Sequence, residues 1–101
     1  MKLINQHINQ ISLLCRKHNV KELYAFGSVL DDKKFNLESD VDLLVDFENV
    51  PLLEYADNFF ALADELESVL NRKVDLLTIK SLSNKYFIEN VNSSKKIIYE
   101  A

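Results

Sequence analysis

Glycine and proline are almost missing from this chain, with one of each in 101 residues. That scarcity excludes a long flexible linker and, with the length, predicts a single domain over residues 1–101 with one modest core. It also singles out Gly27, the one position where the backbone can take positive φ without a Cβ penalty. Cysteine is equally scarce. Cys15 alone can form no intramolecular disulfide and offers no metal-ligand spacing, so at a helical core position it reads as a small buried hydrophobe. Positive charge is in deficit: 12 Lys and Arg against 16 Asp and Glu leave a net charge of −4, which disfavours broad electrostatic binding to nucleic acid. No apolar run approaches the roughly 18 residues of a membrane span. Met1-Lys2 leads into a mixed polar and apolar segment rather than a signal sequence, so a cytoplasmic location is expected.

What is present is strongly periodic. Ile4, Ile8, Ile11 and Cys15, with Leu14 alongside, predict an amphipathic helix over roughly 2–18, stopped by His18-Asn19. A short strand over 21–26 ends at Gly27, and polar residues 28–39 read as a helical turn followed by loop. Residues 41–47 form a strand. Pro51 sits at the first turn of a long helix whose core positions run from Leu52 through Tyr55, Phe59, Leu62 and Leu66 to Leu70. A third strand covers 73–79, Ser83 caps a helix from 84 to about 91, and Ile97-Ile98-Tyr99 forms a last strand. The predicted class is α/β: a small mixed sheet of about four strands packed mainly against two long helices.

Three acids interrupt these apolar strands. Asp40 and Asp42 bracket Val41 at the head of one strand, and Asp75 stands in Val74-Asp75-Leu76-Leu77. Residues i and i+2 of a strand share a face, which puts Asp40 and Asp42 together, roughly 6–7 Å apart along the backbone. Val41, Leu43, Val45 and Phe47 then point the other way, toward the helices. A neighbouring strand bearing Asp75 would add a third carboxylate. Such a cluster repels itself unless it binds metal, and a pair of divalent cations would clamp the attacking and leaving oxygens of an in-line phosphoryl displacement. The third carboxylate has a second natural role, taking the proton of the attacking hydroxyl. Gly27 lets the backbone approach a phosphate closely, and Ser28 can donate its hydroxyl and N–H to phosphate oxygens.

Plainer readings exist for each part. Gly27 can simply end a strand, Ser28 can cap a helix, Asp40 can cap a turn, and Asp75 can lie in water on an edge strand. What argues against them is that all would have to coincide in this order and spacing. Other residues have plain readings that suffice. His7 and His18 belong to a helix surface or helix end, Asp46 to the far end of its strand in solvent, and Tyr55, Phe59 and Phe60 to the core. Nothing in the sequence separates Tyr86 and Tyr99 from packing residues.

Gly27-Ser28, an eleven-residue spacer and Asp40-Val41-Asp42 together resemble the signature of the DNA polymerase β-like nucleotidyltransferase superfamily, and the size resembles its minimal branch. The resemblance spans nearly the whole chain. It implies that Asp40, Asp42 and Asp75 hold two magnesium ions and are catalytic, with Asp75 the third carboxylate, and that Gly27 and Ser28 contact phosphate. It further implies ATP as substrate, AMP transfer to a hydroxyl with release of pyrophosphate, and a HEPN-type toxin partner whose tyrosine accepts the nucleotide. The protein would then be the antitoxin of that pair. One departure stands out. Many such antitoxins follow Gly-Ser with a small residue, Arg and Gly, whereas this chain has Val29-Leu30-Asp31-Asp32, leaving Lys33 and Lys34 as the nearest cations. The spacer is also one residue longer than is typical of that group.

Two other readings belong to different classes. One is a non-catalytic antitoxin or interaction module that neutralises its partner by binding; the other is nucleotide transfer to a small molecule. The short chain also leaves no room for a domain that grips the base and acceptor. Completion of the cleft by a partner or by homo-oligomerisation is therefore expected.

Overall fold

The computed structural model describes residues 1–101. In chain order the elements are α1 (Lys2–Gln6), α2 (Ile8–Lys17), β1 (Val20–Phe26), a 3₁₀ turn (Gly27–Leu30), β2 (Val41–Phe47), α3 (Leu52–Leu70), β3 (Val74–Thr78), a second 3₁₀ turn (Ile79–Ser81), α4 (Lys85–Ser94) and β4 (Lys96–Glu100). The sheet order is β3-β2-β1-β4. β1 runs antiparallel to both β2 and β4, while β2 and β3 are parallel. A parallel pair needs a crossover, and α3 supplies it.

Alternation along the strands divides the sheet into two unlike faces. Leu23 and Ala25 of β1, Val41, Leu43 and Val45 of β2, and Val74 and Leu76 of β3 join Ile4, Ile11 and Cys15, and Leu62, Leu66 and Leu70 of α3, in one buried cluster. The opposite face carries a smaller cluster of Phe26, Leu44 and Val91, the last being the buried anchor of α4. The expected mixed α/β sheet is therefore present, with α2 and α3 covering one face and α4 part of the other.

Several local expectations are corrected. The single helix over 2–18 is broken at His7 (φ −116°, ψ 16°), where a ring nitrogen lies 3.0 Å from the Leu3 carbonyl oxygen and the backbone turns as 3₁₀. The cap of α4 is Asn84, not Ser83: its side chain accepts from the Phe87 N–H at 3.0 Å. Pro51 occupies the cap position before α3 rather than its first turn. Leu52 and Phe60 lie outside the core, 88% and 63% exposed, and Phe60 packs edge-on against Phe59. Adjacent helical residues point about 100° apart, so a Phe-Phe pair cannot be buried whole against one sheet.

Gly27 is also not alone at positive φ. Asn19, Asn49 and Asn71 take left-handed conformations with φ between 51° and 59°. In a chain with so little glycine, asparagine makes the remaining left-handed turns. Cys15 is buried as expected, and burial pushes its thiol up to about 12, which leaves it inert. His18 ends α2 but is buried rather than on the surface, with its ring nitrogens facing the Asn58 and Glu65 side-chain oxygens. No helix is long and apolar enough to cross a membrane.

Candidate active site

Strand register assembles the site. Asp42, the second residue of β2, is paired with Phe26 on the antiparallel side and with Asp75 on the parallel side. The last residue of β1 thus stands beside Asp42, and the Gly27-Ser28 turn begins directly after it. Asp42 shares its face with Leu44, so its carboxylate lies on the α4 side, away from the main core.

Gly27 is required here for two separate reasons. Its φ is +73°, and a Cβ on it would run into the Asp42 carboxylate, with Cγ of Asp42 only 3.3 Å away. The missing side chain is the space that the Asp42 carboxylate occupies. Burial first, then Asp75, then Asp40, push the Asp42 carboxyl from its ordinary 3.8 up to about 6. No salt bridge in the chain involves any of the three acids.

Asp75 lies beside Asp42 but is exposed, in keeping with an edge strand. Asp40 falls one residue before β2 and is also exposed, close enough to repel Asp42. No three His, Cys, Asp or Glu side chains are gathered tightly enough to enclose a metal ion. The set is open toward solvent and contains only carboxylate oxygens. A half-buried carboxylate repelled by two others, with no cation in salt-bridge contact, fits a hard cation that takes its remaining ligands from phosphate and water.

A cavity of about 490 Å³ opens beside Asp42. Gly27, Ser28 and Asp42 line one side, Phe87 and Asn90 of α4 line another, and Lys34 is the one basic residue on its wall. Of Lys33 and Lys34, the nearest cations to the position of the missing Arg, the fold brings only Lys34 to the cavity. Two further contributors had escaped notice. Arg72, just past α3, donates to the carbonyl oxygens of Asn36 and Ser39 and lies 4.3 Å over the Phe35 ring. It pins the loop that delivers Asp40, and a lone Arg after a helix gives no sequence signal of that role. The α4 wall is the other, because periodicity does not say which sheet face a helix covers.

Comparison with known proteins fits this geometry. The family described as polymerase beta nucleotidyltransferase matches residues 9–101. The protein adenylyltransferase MntA of Thermococcus cleftensis is 38% identical over 71 residues, covering 70% of this chain and 68% of that one. Among solved structures, a toxin–antitoxin with AMP-PNP superposes with a TM-score of 0.69 at 25% identity, covering 93% of this chain and 73% of the other. The fold is also that of a Shewanella oneidensis complex of a tri-AMPylated HEPN toxin with its MNT antitoxin (TM-score 0.65, 24% identity, 97% and 73% coverage). The chain belongs to the polymerase β nucleotidyltransferase family and, within it, to the protein adenylyltransferases related to MntA.

Proposed function

We propose that this protein is an antitoxin that transfers AMP from ATP to a tyrosine hydroxyl of a HEPN-type toxin. The observation that carries the proposal is the juxtaposition of the Gly27-Ser28 turn with Asp42, itself in register with Asp75. The relatives' adenylyltransferase name and the AMP-PNP bound in a structural neighbour support the choice of nucleotide.

Each residue's contribution follows from its place. Ser28, with its hydroxyl and N–H at the start of the 3₁₀ turn, holds phosphate oxygens on the cavity side. Lys34 offers positive charge to the polyphosphate from the cavity wall. Asp40, Asp42 and Asp75 are the oxygen ligands available to magnesium. When bound, magnesium would neutralise polyphosphate charge and make the α-phosphorus more electrophilic. The tyrosine oxygen forms the new bond to the α-phosphorus, the bond from that phosphorus to the bridging oxygen of the β-phosphate breaks, and pyrophosphate leaves. Asp75, exposed and in register beside Asp42, accepts the tyrosine proton. The cleft is open, so the toxin both presents the acceptor and closes the site.

The test is label transfer from α-phosphate-labelled ATP to the product of the neighbouring gene, with magnesium present. Wild type should label the toxin and Asp42→Asn should not, although both remain folded. A tight complex formed equally by both proteins, with no label on the toxin in either case, would replace this reading with neutralisation by binding.

A further inference from the structure

We propose that one face of α4 is the nucleobase subsite, with Phe87 as the stacking surface and Asn90 as the residue that hydrogen-bonds the base edge. The inference rests on the adenylyl-transfer reading above and extends it to base recognition. Phe87, Asn90, Val91 and Ser94 all line the cavity that holds Gly27, Ser28 and Asp42. Their spacing of i, i+3, i+4 and i+7 places them in a single stripe of the helix. Val91 is buried and fastens that stripe to Phe26 and Leu44.

Phe87 has the setting of a stacking surface. Its ring meets Phe26 edge-on, at 6.0 Å between centroids and 83° between planes, and remains 38% exposed. Phe26 immediately precedes Gly27, so the aromatic pair joins the α4 wall to the phosphate turn. A T-shaped contact takes up at most one face of a ring, and nucleobases stack on aromatic faces.

Asn90 is one turn further along. Its backbone carbonyl accepts from the Ser93 and Ser94 hydroxyls, whereas its side-chain amide is exposed and makes no hydrogen bond within the chain. An amide presents one acceptor and a donor side by side. That pair complements the N6 amino group and N1 of adenine. Turned over, it pairs equally with O6 and N1–H of guanine, so the amide reads the base edge without excluding guanine. A carboxylate in its place would favour guanine, accepting from N1–H and the N2 amino group and leaving adenine N1 without a donor.

The experiment measures binding of magnesium–ATP, magnesium–GTP and magnesium–tripolyphosphate to the full chain. The proteins are wild type, Asn90→Asp and Phe87→Leu, each checked for folding by thermal melting. Wild type should bind ATP more tightly than tripolyphosphate. Asn90→Asp should move the ATP-to-GTP ratio toward GTP by about tenfold or more, scaled from the discrimination of a bidentate base contact. Reading the ratio cancels the repulsion that the added charge exerts on every polyphosphate. Phe87→Leu retains apolar packing on Phe26 but removes the aromatic face. It should weaken both nucleotides by about tenfold, in line with loss of a base–aromatic stack, and leave tripolyphosphate unchanged.

An ATP-to-GTP ratio unchanged in Asn90→Asp and a nucleotide-to-tripolyphosphate ratio unchanged in Phe87→Leu, with ATP still bound more tightly than tripolyphosphate by wild type, would overturn the α4 subsite and leave the adenylyltransferase reading standing. ATP bound no better than tripolyphosphate by wild type would overturn it too. Wild type binding neither ligand would remove both readings together.

Discussion

The two faces of the sheet come from the same strands, one residue out of phase, and they differ in kind. The face under α2 and α3 belongs to a cluster of fifteen buried apolar residues, and every strand residue in it is aliphatic. The face under α4 buries three, and beside them stand Asp42 and Asp75 in register. The large cluster stabilises the fold in proportion to the apolar area it removes from water. The other face carries a half-buried carboxylate that its neighbours repel, a local arrangement that opposes stability. On the proposed site assignment, stability and chemistry are separated by the strand's two-residue period. Substitutions on either side should show it.

Asp42→Asn has the largest expected effect, loss of AMP transfer to background, as set out above. Next comes the opposite face. Leu62 is fully buried against the sheet, and Leu62→Ala should destabilise the protein by about 3 kcal/mol, as large-to-small core substitutions do. In a domain of this size, that lowers the melting temperature by roughly 10–20 °C. Transfer measured well below the melting transition should retain its wild-type rate. A folded Leu62→Ala protein with impaired transfer would show that the two faces are coupled after all.

Gly27→Ala probes the boundary between them. Alanine at φ +73° is strained, by about 1–2 kcal/mol, and its Cβ must displace the Asp42 carboxylate. Because the displaced group belongs to the site, activity should fall further than stability, by about a hundredfold if the carboxylate moves by an ångström. Crystals of the variant would check the displacement directly. Equal loss in Gly27→Ala and in Leu62→Ala, when the two are matched for stability, would blur the contrast.

Much of this division was legible in the sequence because it rests on alternation. β2 lies over the predicted 41–47, and the apolar set Val41, Leu43 and Val45 faces the helices as expected. The registry of Asp42 with Asp75 follows from two similar apolar runs joined by a helix. Features that depend on tertiary placement were not legible. Which sheet face α4 covers decides whether Phe87 and Asn90 are wall or surface, and no period encodes that choice. Arg72 acts through backbone carbonyls more than thirty positions away in sequence. Asp40 shows the limit of strand logic, since β2 begins one residue after it. The break at His7 depends on a ring nitrogen close to the Leu3 carbonyl, a local competition that helical periodicity does not record.

The smallest predicted effect sharpens the comparison most, because its sign differs on the two sides. The Asp42 carboxyl titrates near 6 in the folded protein against an ordinary 3.8. Its protonated form is therefore favoured by folding, and its contribution to stability declines as pH rises between those values. Discounted for its partial exposure to solvent, the effect amounts to about 1 kcal/mol. In metal-free buffer, Asp42→Asn should be more stable than wild type above pH 6, and the advantage should vanish near pH 4. Glu65, on α3, has the opposite shift: hydrogen bonds from Lys17 and then His18 hold its carboxyl below its ordinary 4.5. The stability it contributes is present above that value and is lost as pH falls through the lowered one. Glu65→Gln should accordingly flatten only the acid limb of a stability–pH curve, and Asp42→Asn only the segment between about 4 and 6. Chemical denaturation across pH 3–8 measures both, and a curve for Asp42→Asn that parallels wild type throughout would mean the α4 face of the sheet carries no electrostatic strain.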